Sequence, residues 1–298
     1  MFLLLAIIGY IALAIVNIID KYLVDGKTSL LVFVFYAGIF TLPLFLLIPW
    51  IEFPHSLTDY ALGFFSGAMF LAALLAMYYG FQKTEVSHSG PLVGVATTLS
   101  VLLLSYFFLG ERVGEVQLIG IIIIIIGSIL ISFQKTKETS GLPRAIAWAL
   151  LAGLLFAFSH VSAKYMYVRY DFWSAAVWTK GVMGIYALVL LMIPRVHREI
   201  FARKEQKALS PKSFSLVVIN RVLSVAGTGL TQYAIALGSV SIVNALQGVQ
   251  YAVLVVMIIC LTRYRSSVFK EFYTRNEIVL QACAVAVVAG GLMVMMIK

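Results

Sequence analysis

Charged residues are scarce in this 298-residue sequence. Asp, Glu, Lys and Arg make up 12% of it, whereas 62% of the residues are hydrophobic. Soluble domains are about half apolar and about a quarter charged. Lipid must therefore be the solvent for most of the surface, and the mean hydropathy of +1.00 agrees. The composition excludes an ordinary soluble domain and predicts an integral membrane protein.

Cysteine and the usual catalytic motifs are also scarce. The two cysteines, Cys260 and Cys283, lie inside apolar runs, where thiols usually behave as small hydrophobes. They predict neither a disulfide framework nor a metal site. The sequence has no HExxH motif, no paired carboxylates within its apolar runs and no nucleotide-binding loop. We therefore expect no metal, no cofactor, no enzymatic activity and no direct drive by ATP.

Long apolar runs dominate the chain instead. A transmembrane helix needs about 20 apolar residues to cross the hydrocarbon core. The first run lacks a basic region before it and a cleavage signal after it, which predicts a retained helix and not a signal peptide. The runs are too long and continuous for the strands of a barrel. Ten runs cover residues 2–20, 30–49, 59–81, 87–109, 115–133, 144–166, 172–193, 214–237, 241–262 and 277–297.

The order of these runs predicts two copies of a five-helix unit, residues 1–134 and 144–298, joined by a polar linker at 135–143. Residues 79–95 align without gaps with 233–249, at an offset of 154. An odd number of helices per copy reverses the orientation of the second copy. The sequence therefore predicts an all-α membrane protein of ten transmembrane helices in two inverted repeats, with a substrate site near the midplane.

A second alignment, at an offset of 143, supports the repeat. It places Lys21 of the first helix opposite Lys164 of the sixth. Both lysines can line a cavity, or they can extend from helix ends toward lipid headgroups. Chance similarity between apolar helices is the competing explanation for both alignments.

The net charge of +9 comes from basic residues in the connections. Odd-numbered connections hold sixteen Lys and Arg residues, and the even connections and termini hold three. Such an asymmetry is typical of membrane topology and does not require nucleic acid as a partner. Because basic connections usually face the cytoplasm, it predicts both termini outside.

The phrase Leu102–Glu111, LLLSYFFLGE, is followed by a helix with Gly120 and Gly127. This stretch resembles the EamA-type drug/metabolite transporters, whose units end their fourth helix in a similar phrase. The resemblance extends over both five-helix units and implies a membrane transporter. It also implies cytoplasmic termini, against the charge asymmetry. The second copy departs from the pattern, because Arg265 stands where Glu111 would map.

Polar residues inside the predicted spans are the candidate site, because burying them in lipid is costly. Helices eight and nine hold most of them, at spacings of three and four that place them on one face. We expect these residues to line a cavity and contact the substrate: Arg221, Ser224, Thr228 and Gln232 on helix eight, and Asn244, Gln247 and Tyr251 on helix nine.

Three further candidates lie on other helices. Asn17 on helix one and His160 on helix six each lie four residues before a lysine and are cavity candidates. His160 is also the candidate for proton coupling, because an ordinary histidine titrates near pH 6.5. Lys180 on helix seven is either a structural anchor or a substrate contact.

The acidic residues lie at the ends of predicted spans, so the charge inside the membrane is expected to be positive. That favours anionic or zwitterionic cargo. We therefore predict a secondary transporter in the cell membrane that exports small polar or zwitterionic metabolites such as amino acids, as a monomer or homodimer. A lipid carrier, a flippase and a channel are the alternatives.

Overall fold

The computed structural model describes residues 1–24, 30–82, 86–132, 142–201, 211–264 and 275–297. Within these ranges the chain is almost wholly helical and contains no strand. The α-helices are α1 Phe2–Val24, α2 Leu30–Ile39, α3 Leu57–Phe81, α4 Val86–Leu109, α5 Glu115–Ser132, α6 Leu142–Arg169, α7 Phe172–Ala176, α8 Val182–Leu190, α9 Pro194–Phe201, α10 Pro211–Leu237, α11 Val240–Ala245, α12 Gln247–Tyr264 and α13 Arg275–Met296.

Nine helical segments of these ranges are long and apolar enough to cross a membrane. They confirm an all-helical, multi-pass integral membrane protein. The predicted span without a counterpart among the nine is the eighth, α10. This helix has 27 residues, about 40 Å at 1.5 Å per residue, and it carries the densest polar stripe. The ten-span count, the inverted repeat and the two domain boundaries stay predictions.

The second predicted span, 30–49, is not one α-helix. α2 ends at Ile39, and the chain continues as a 3₁₀ helix, Leu42–Trp50. Pro43 and Pro49 lie in this segment, and a proline has no N–H to donate to the α-helical ladder.

The seventh and ninth predicted spans are also interrupted. A π-helical turn, Val177–Gly181, separates α7 from α8. Single π turns insert one extra residue and are frequent at functional sites. The ninth span breaks at Leu246, between α11 and α12. The Val249 N–H donates to the Leu246 carbonyl at 2.9 Å, three residues back and not the four of an α-helix. Both breaks lie next to predicted site residues.

The first helix of each sequence half packs mainly against helices of the other half. α1 packs along α10 and α12, whereas α6 packs against α3 and α4. Gly9 and Gly227 make the first contact close, because a Cβ on Gly9 would lie 2.9 Å from the carbonyl oxygen of Gly227. α5 pairs with α13, and α2 pairs with α8. The described helices thus include two three-helix groups that pack against each other. The first group is α3, α4 and α6, and the second group is α1, α10 and α12.

The two ends of the bundle can be distinguished by their contacts. At the N-terminal end, α1 begins against the end of α10, where Phe2 contacts Gly238. α3 begins and α6 ends at this end too. Asp59 lies in the first turn of α3, and its carboxylate accepts a hydrogen bond at 2.8 Å from the hydroxyl of Tyr170, the residue after α6. The basic residues that carry the charge asymmetry belong mostly to the odd-numbered connections. Much of these connections, the side chains of Lys21 and Arg265, and most of the linker lie outside the described residues, so the membrane orientation stays a prediction.

Candidate functional site

A cavity of about 820 Å³ lies between the two three-helix groups, with α2, α7 and α8 completing its wall. The structure brings all ten predicted site residues to this one cavity. That they bind a substrate stays a prediction. The residues are Asn17, His160, Lys180, Arg221, Ser224, Thr228, Gln232, Asn244, Gln247 and Tyr251.

The α10 stripe, which is Arg221, Ser224, Thr228 and Gln232, forms the polar wall of the cavity. Arg221 and Gln232, at its two ends, have hydrogen-bond partners on other helices. Arg221 and Gln232 are buried, and the hydroxyl residues between them, Ser224 and Thr228, are half-buried. On α1, Asn17 is half-buried and lines the same space. The hydroxyls and Asn17 are therefore the wall's most accessible polar groups.

Arg221 is not the unpaired cation that the sequence analysis expected. α1 continues to Val24, so Asp20 lies a turn before its end and is only 6% exposed. Asp20 forms an ion pair with Arg221 and accepts a hydrogen bond from Asn220 Nδ2 at 2.7 Å. Tyr78 Oη donates to the same carboxylate at 3.4 Å. The expectation of a membrane interior without a deep acid is thereby corrected.

Lys180 is the buried cation that keeps no acidic partner within the described ranges. The π turn directs it into the cavity, where it is 5% exposed. Its Nζ donates to Ser159 Oγ at 3.2 Å and lies 4.3 Å from the centroid of the Phe70 ring. A hydroxyl and an aromatic face stabilise an ammonium group but do not neutralise it.

His160 lies in a short hydrogen-bonded chain across the two groups. Tyr167 Oη donates to Gln232 Oε1 at 3.2 Å, and Gln232 Nε2 lies 3.1 Å from His160 Nδ1. The amide nitrogen is a donor, and it pairs with an unprotonated Nδ1. Phe156 stacks on the imidazole at 14° with 6.0 Å between centroids.

Tyr251 has a packing role besides its place in the cavity. Its ring rests on α4, where a Cβ on Gly90 or Gly94 would lie 2.8 or 2.6 Å from ring carbons. Gln247 Nε2 donates to the Tyr251 hydroxyl at 3.2 Å. Asn244 Nδ2 donates to the carbonyl of its own turn, Val240, at 2.8 Å. Packing and local bonds thus hold this polar wall in place.

Sequence reasoning missed the aromatic character of the cavity, because it searched the spans for polar groups. The missed lining includes two aromatic residues on the helix that carries His160, Phe156 and Tyr167, at spacings of four and seven. That helical spacing was a usable signal. The other aromatic lining residues are Tyr10, Phe70, Tyr78, Phe172, Trp173 and Tyr233.

Comparison with known proteins agrees with the sequence resemblance. The sequence profile of the EamA-like transporter family matches residues 1–133. The match covers 133 of the 298 residues. The EamA-like segment runs from α1 to the end of α5, and it contributes α1, α2 and α3 to the cavity.

One curated relative is similar to part of the chain. It is the uncharacterized transporter YxxF of Bacillus subtilis (strain 168), 29% identical over 132 residues. The match covers 44% of this chain and 40% of the relative. Both matches are to transporters, and each covers less than half of the present chain.

A solved structure shares the fold over nearly the whole chain. This crystal structure of a protein is matched over 98% of the present chain and 96% of its own, with a TM-score of 0.67 and 13% sequence identity. At this identity the likeness concerns the fold alone. The shared fold includes the helices after α5, which complete the cavity wall.

Proposed function

We propose that the protein is a secondary transporter that exports small polar or zwitterionic metabolites, such as amino acids, from the cell. The substrate binds in the cavity, and the two three-helix groups move about it so that the site is accessible from one side of the membrane at a time. In this proposal α10 also crosses the membrane, as the eighth of ten spans, and the two five-helix units are inverted repeats.

Lys180 is the observation that carries the proposal. A charge in a low-dielectric environment is costly unless it is compensated. Asp20 is already engaged by Arg221, so it does not compensate Lys180. A carboxylate or another anionic group of the substrate supplies the missing charge and binds through a charge-assisted hydrogen bond.

The size and lining of the cavity further define the substrate. Small-molecule sites usually have volumes of about 300–1,000 Å³, and this cavity has about 820 Å³. Aromatic side chains form much of the wall, including Phe70 and Phe156 near Lys180. The proposed substrate therefore combines an anionic head with an apolar body, and the α10 hydroxyls bind its remaining polar groups.

Proton coupling is assigned to His160. It lies between Phe156 and Gln232 in the same cavity as Lys180. A protonated imidazole has two donors and no acceptor. Protonation therefore requires Gln232 to turn its amide, so that Oε1 accepts from the imidazole and Nε2 faces the Tyr167 hydroxyl. Because that hydroxyl accepts as well as donates, the hydrogen bond between the two groups reverses its direction.

A carrier of lipids or lipophilic compounds is the second candidate, and one observation favours it. Val225 and Tyr233 on α10 line the cavity, yet each is 37% exposed. The cavity thus reaches a surface of α10 that faces outward. A substrate dissolved in the bilayer can enter there without passing through water.

Flux measurements on the purified protein in proteoliposomes test the proposal. A panel of amino acids and other carboxylates is compared with uncharged analogues, for the wild type and the variants Lys180→Met and Arg169→Met. We expect carboxylate flux, its loss in Lys180→Met and its retention in Arg169→Met, because Arg169 is 52% exposed and lies outside the cavity. Equal flux of charged and uncharged analogues, unchanged in Lys180→Met, would refute the anion site.

Two further measurements test the proton coupling and distinguish a metabolite transporter from a carrier of lipophilic compounds. Imposing a pH gradient is expected to change flux in the wild type and not in His160→Asn. An unchanged wild-type rate would remove His160 from proton coupling. Scrambling of fluorescent phospholipids by the wild type, with background flux of every soluble metabolite, would favour the carrier of lipophilic compounds.

A further inference from the structure

Lys164 holds the two three-helix groups together at the N-terminal end. It belongs to α6, in the first group, and it contacts the end of α10, in the second group. Its Nζ donates to the backbone oxygens of Ile235 at 2.9 Å, Ala236 at 3.3 Å and Gly238 at 2.7 Å. It therefore neither lines the cavity nor extends away from the protein, the two arrangements that the sequence left open.

The three oxygens are a favourable site for a cation. The last carbonyls of an α-helix have no partner inside the helix, and they are the negative end of its dipole. α10 ends at Leu237, so the Lys164 ammonium group binds this end directly. The contact joins α6 to the end of α10.

Glu111 is an acidic residue at the same end of the bundle as Lys164. Gly110 has a φ of +64°, in the left-handed region that glycine adopts without strain. This turn folds Glu111 back after α4, where its Oε2 accepts a hydrogen bond from Ser241 Oγ at 3.4 Å. Its other carboxylate oxygen, Oε1, is buried with no hydrogen-bond partner among the described residues. Ser241 lies three residues after Gly238, whose carbonyl oxygen binds Lys164, so Glu111 and Lys164 meet the chain at the same end of α10.

The residues around the Lys164 ammonium group are divided between the two three-helix groups. Lys164 and Glu111 both belong to the first group, on α6 and just after α4. The backbone oxygens that bind Lys164 belong to the second group. When the groups separate at this end, Lys164 loses the oxygens of α10 but stays in the same group as Glu111. Separation then costs less than exposing an unpaired charge.

We propose that Lys164 is a latch that closes the N-terminal end of the cavity by binding the end of α10. Glu111 receives the ammonium group when that end opens. The proposal rests on the proposed alternating access of the cavity. It assigns a function to the Gly110–Glu111 turn, which the cavity does not include.

Cysteine accessibility tests the latch without any substrate. Cys260 and Cys283 are both exposed and are replaced by serine. A reporter is introduced by Ile235→Cys, since Ile235 lines the cavity and is 1% exposed. A membrane-impermeant maleimide is added to oriented vesicles from the side of the N-terminal end, and the labelling rate is measured.

Three variants of the latch are compared in this background. Lys164→Met is expected to raise the labelling rate about two- to fivefold, the population shift that a cation at a helix C-terminus typically produces. Lys164→Arg keeps the charge and donors and is expected to label as the unmodified background does. Glu111→Gln removes the carboxylate and is expected to lower the rate. Arg169→Met is the matched control at the same end, and we expect no change.

Equal labelling of the Lys164→Met variant and the background would overturn the latch. An unchanged or raised rate in Glu111→Gln would overturn the role of Glu111. If Lys164→Met does not yield folded protein, Glu111→Gln alone decides, and a lowered rate supports the switch of partners. Because no substrate is used, failure here leaves the proposed transport intact. Loss of carboxylate flux with normal labelling would instead count against the proposed function.

Discussion

Removing the charge of Asp20 is expected to destabilise the protein by about 3–5 kcal/mol, the usual cost of breaking a buried ion pair from one side. Arg221 is 3% exposed and Asp20 is 6% exposed, so water cannot replace the lost partner. Asp20→Asn is the sharpest change, because an amide oxygen can still accept the bond from Asn220. The loss then measures the charge itself.

A double-mutant cycle gives the magnitude a second check. Arg221→Met alone leaves the Asp20 carboxylate buried without its cation and should cost a similar amount. The double variant Asp20→Asn/Arg221→Met contains no buried charge at this position. Replacing a buried pair by uncharged groups is often neutral, so the double variant is expected to recover most of the lost stability, with a coupling energy of several kcal/mol.

The assay is equilibrium unfolding in mixed micelles, followed by tryptophan fluorescence, with thermal unfolding as an independent measure. The pair between Arg169 and Asp59 provides a control, since Arg169 is 52% exposed and the two atoms are 3.4 Å apart. Arg169→Met should cost no more than about 1 kcal/mol. A cost of Asp20→Asn as small as that of Arg169→Met would refute the reasoning, as would strictly additive single changes.

Three smaller perturbations test other features. Gly94→Ala adds a Cβ 2.6 Å from the Tyr251 ring and should cost about 1–3 kcal/mol by overpacking; an unchanged unfolding midpoint would contradict that contact. Gly110→Ala, at a φ of +64°, should cost about 1–2 kcal/mol, whereas a stabilised variant would refute the left-handed turn. Ser66→Ala removes the 2.9 Å bond to the Ser159 carbonyl and should cost about 1 kcal/mol, and a neutral effect would show that α3 and α6 do not need it.

Hydropathy was sufficient to locate the helices, because lipid requires long apolar runs whatever their partners are. It did not reveal where those runs break. Pro43 and Pro49 were visible signals for the end of α2. The π turn at Val177–Gly181 had no such signal, since it depends on how the chain packs against its neighbours.

The candidate residues of α10 were also predictable, because helical spacing alone places Arg221, Thr228 and Gln232 on one face. Their partners were not. Asp20 lies 201 positions before Arg221, and a single sequence shows no link between positions so far apart. The anionic cargo was inferred from two cations, and the structure leaves Lys180 as the one without an acidic partner in the described residues.

The packing of α1 against α10 has a consequence for the synthesis of the protein. Asp20 enters the membrane early, but Arg221 follows 201 residues later. At about 5–20 residues per second, the ribosome needs roughly 10–40 s to produce that stretch. During this interval α1 carries a carboxyl group whose partner does not yet exist. The nascent helix must therefore keep Asp20 protonated, leave it at the membrane surface or shield it with the insertion machinery until α10 arrives.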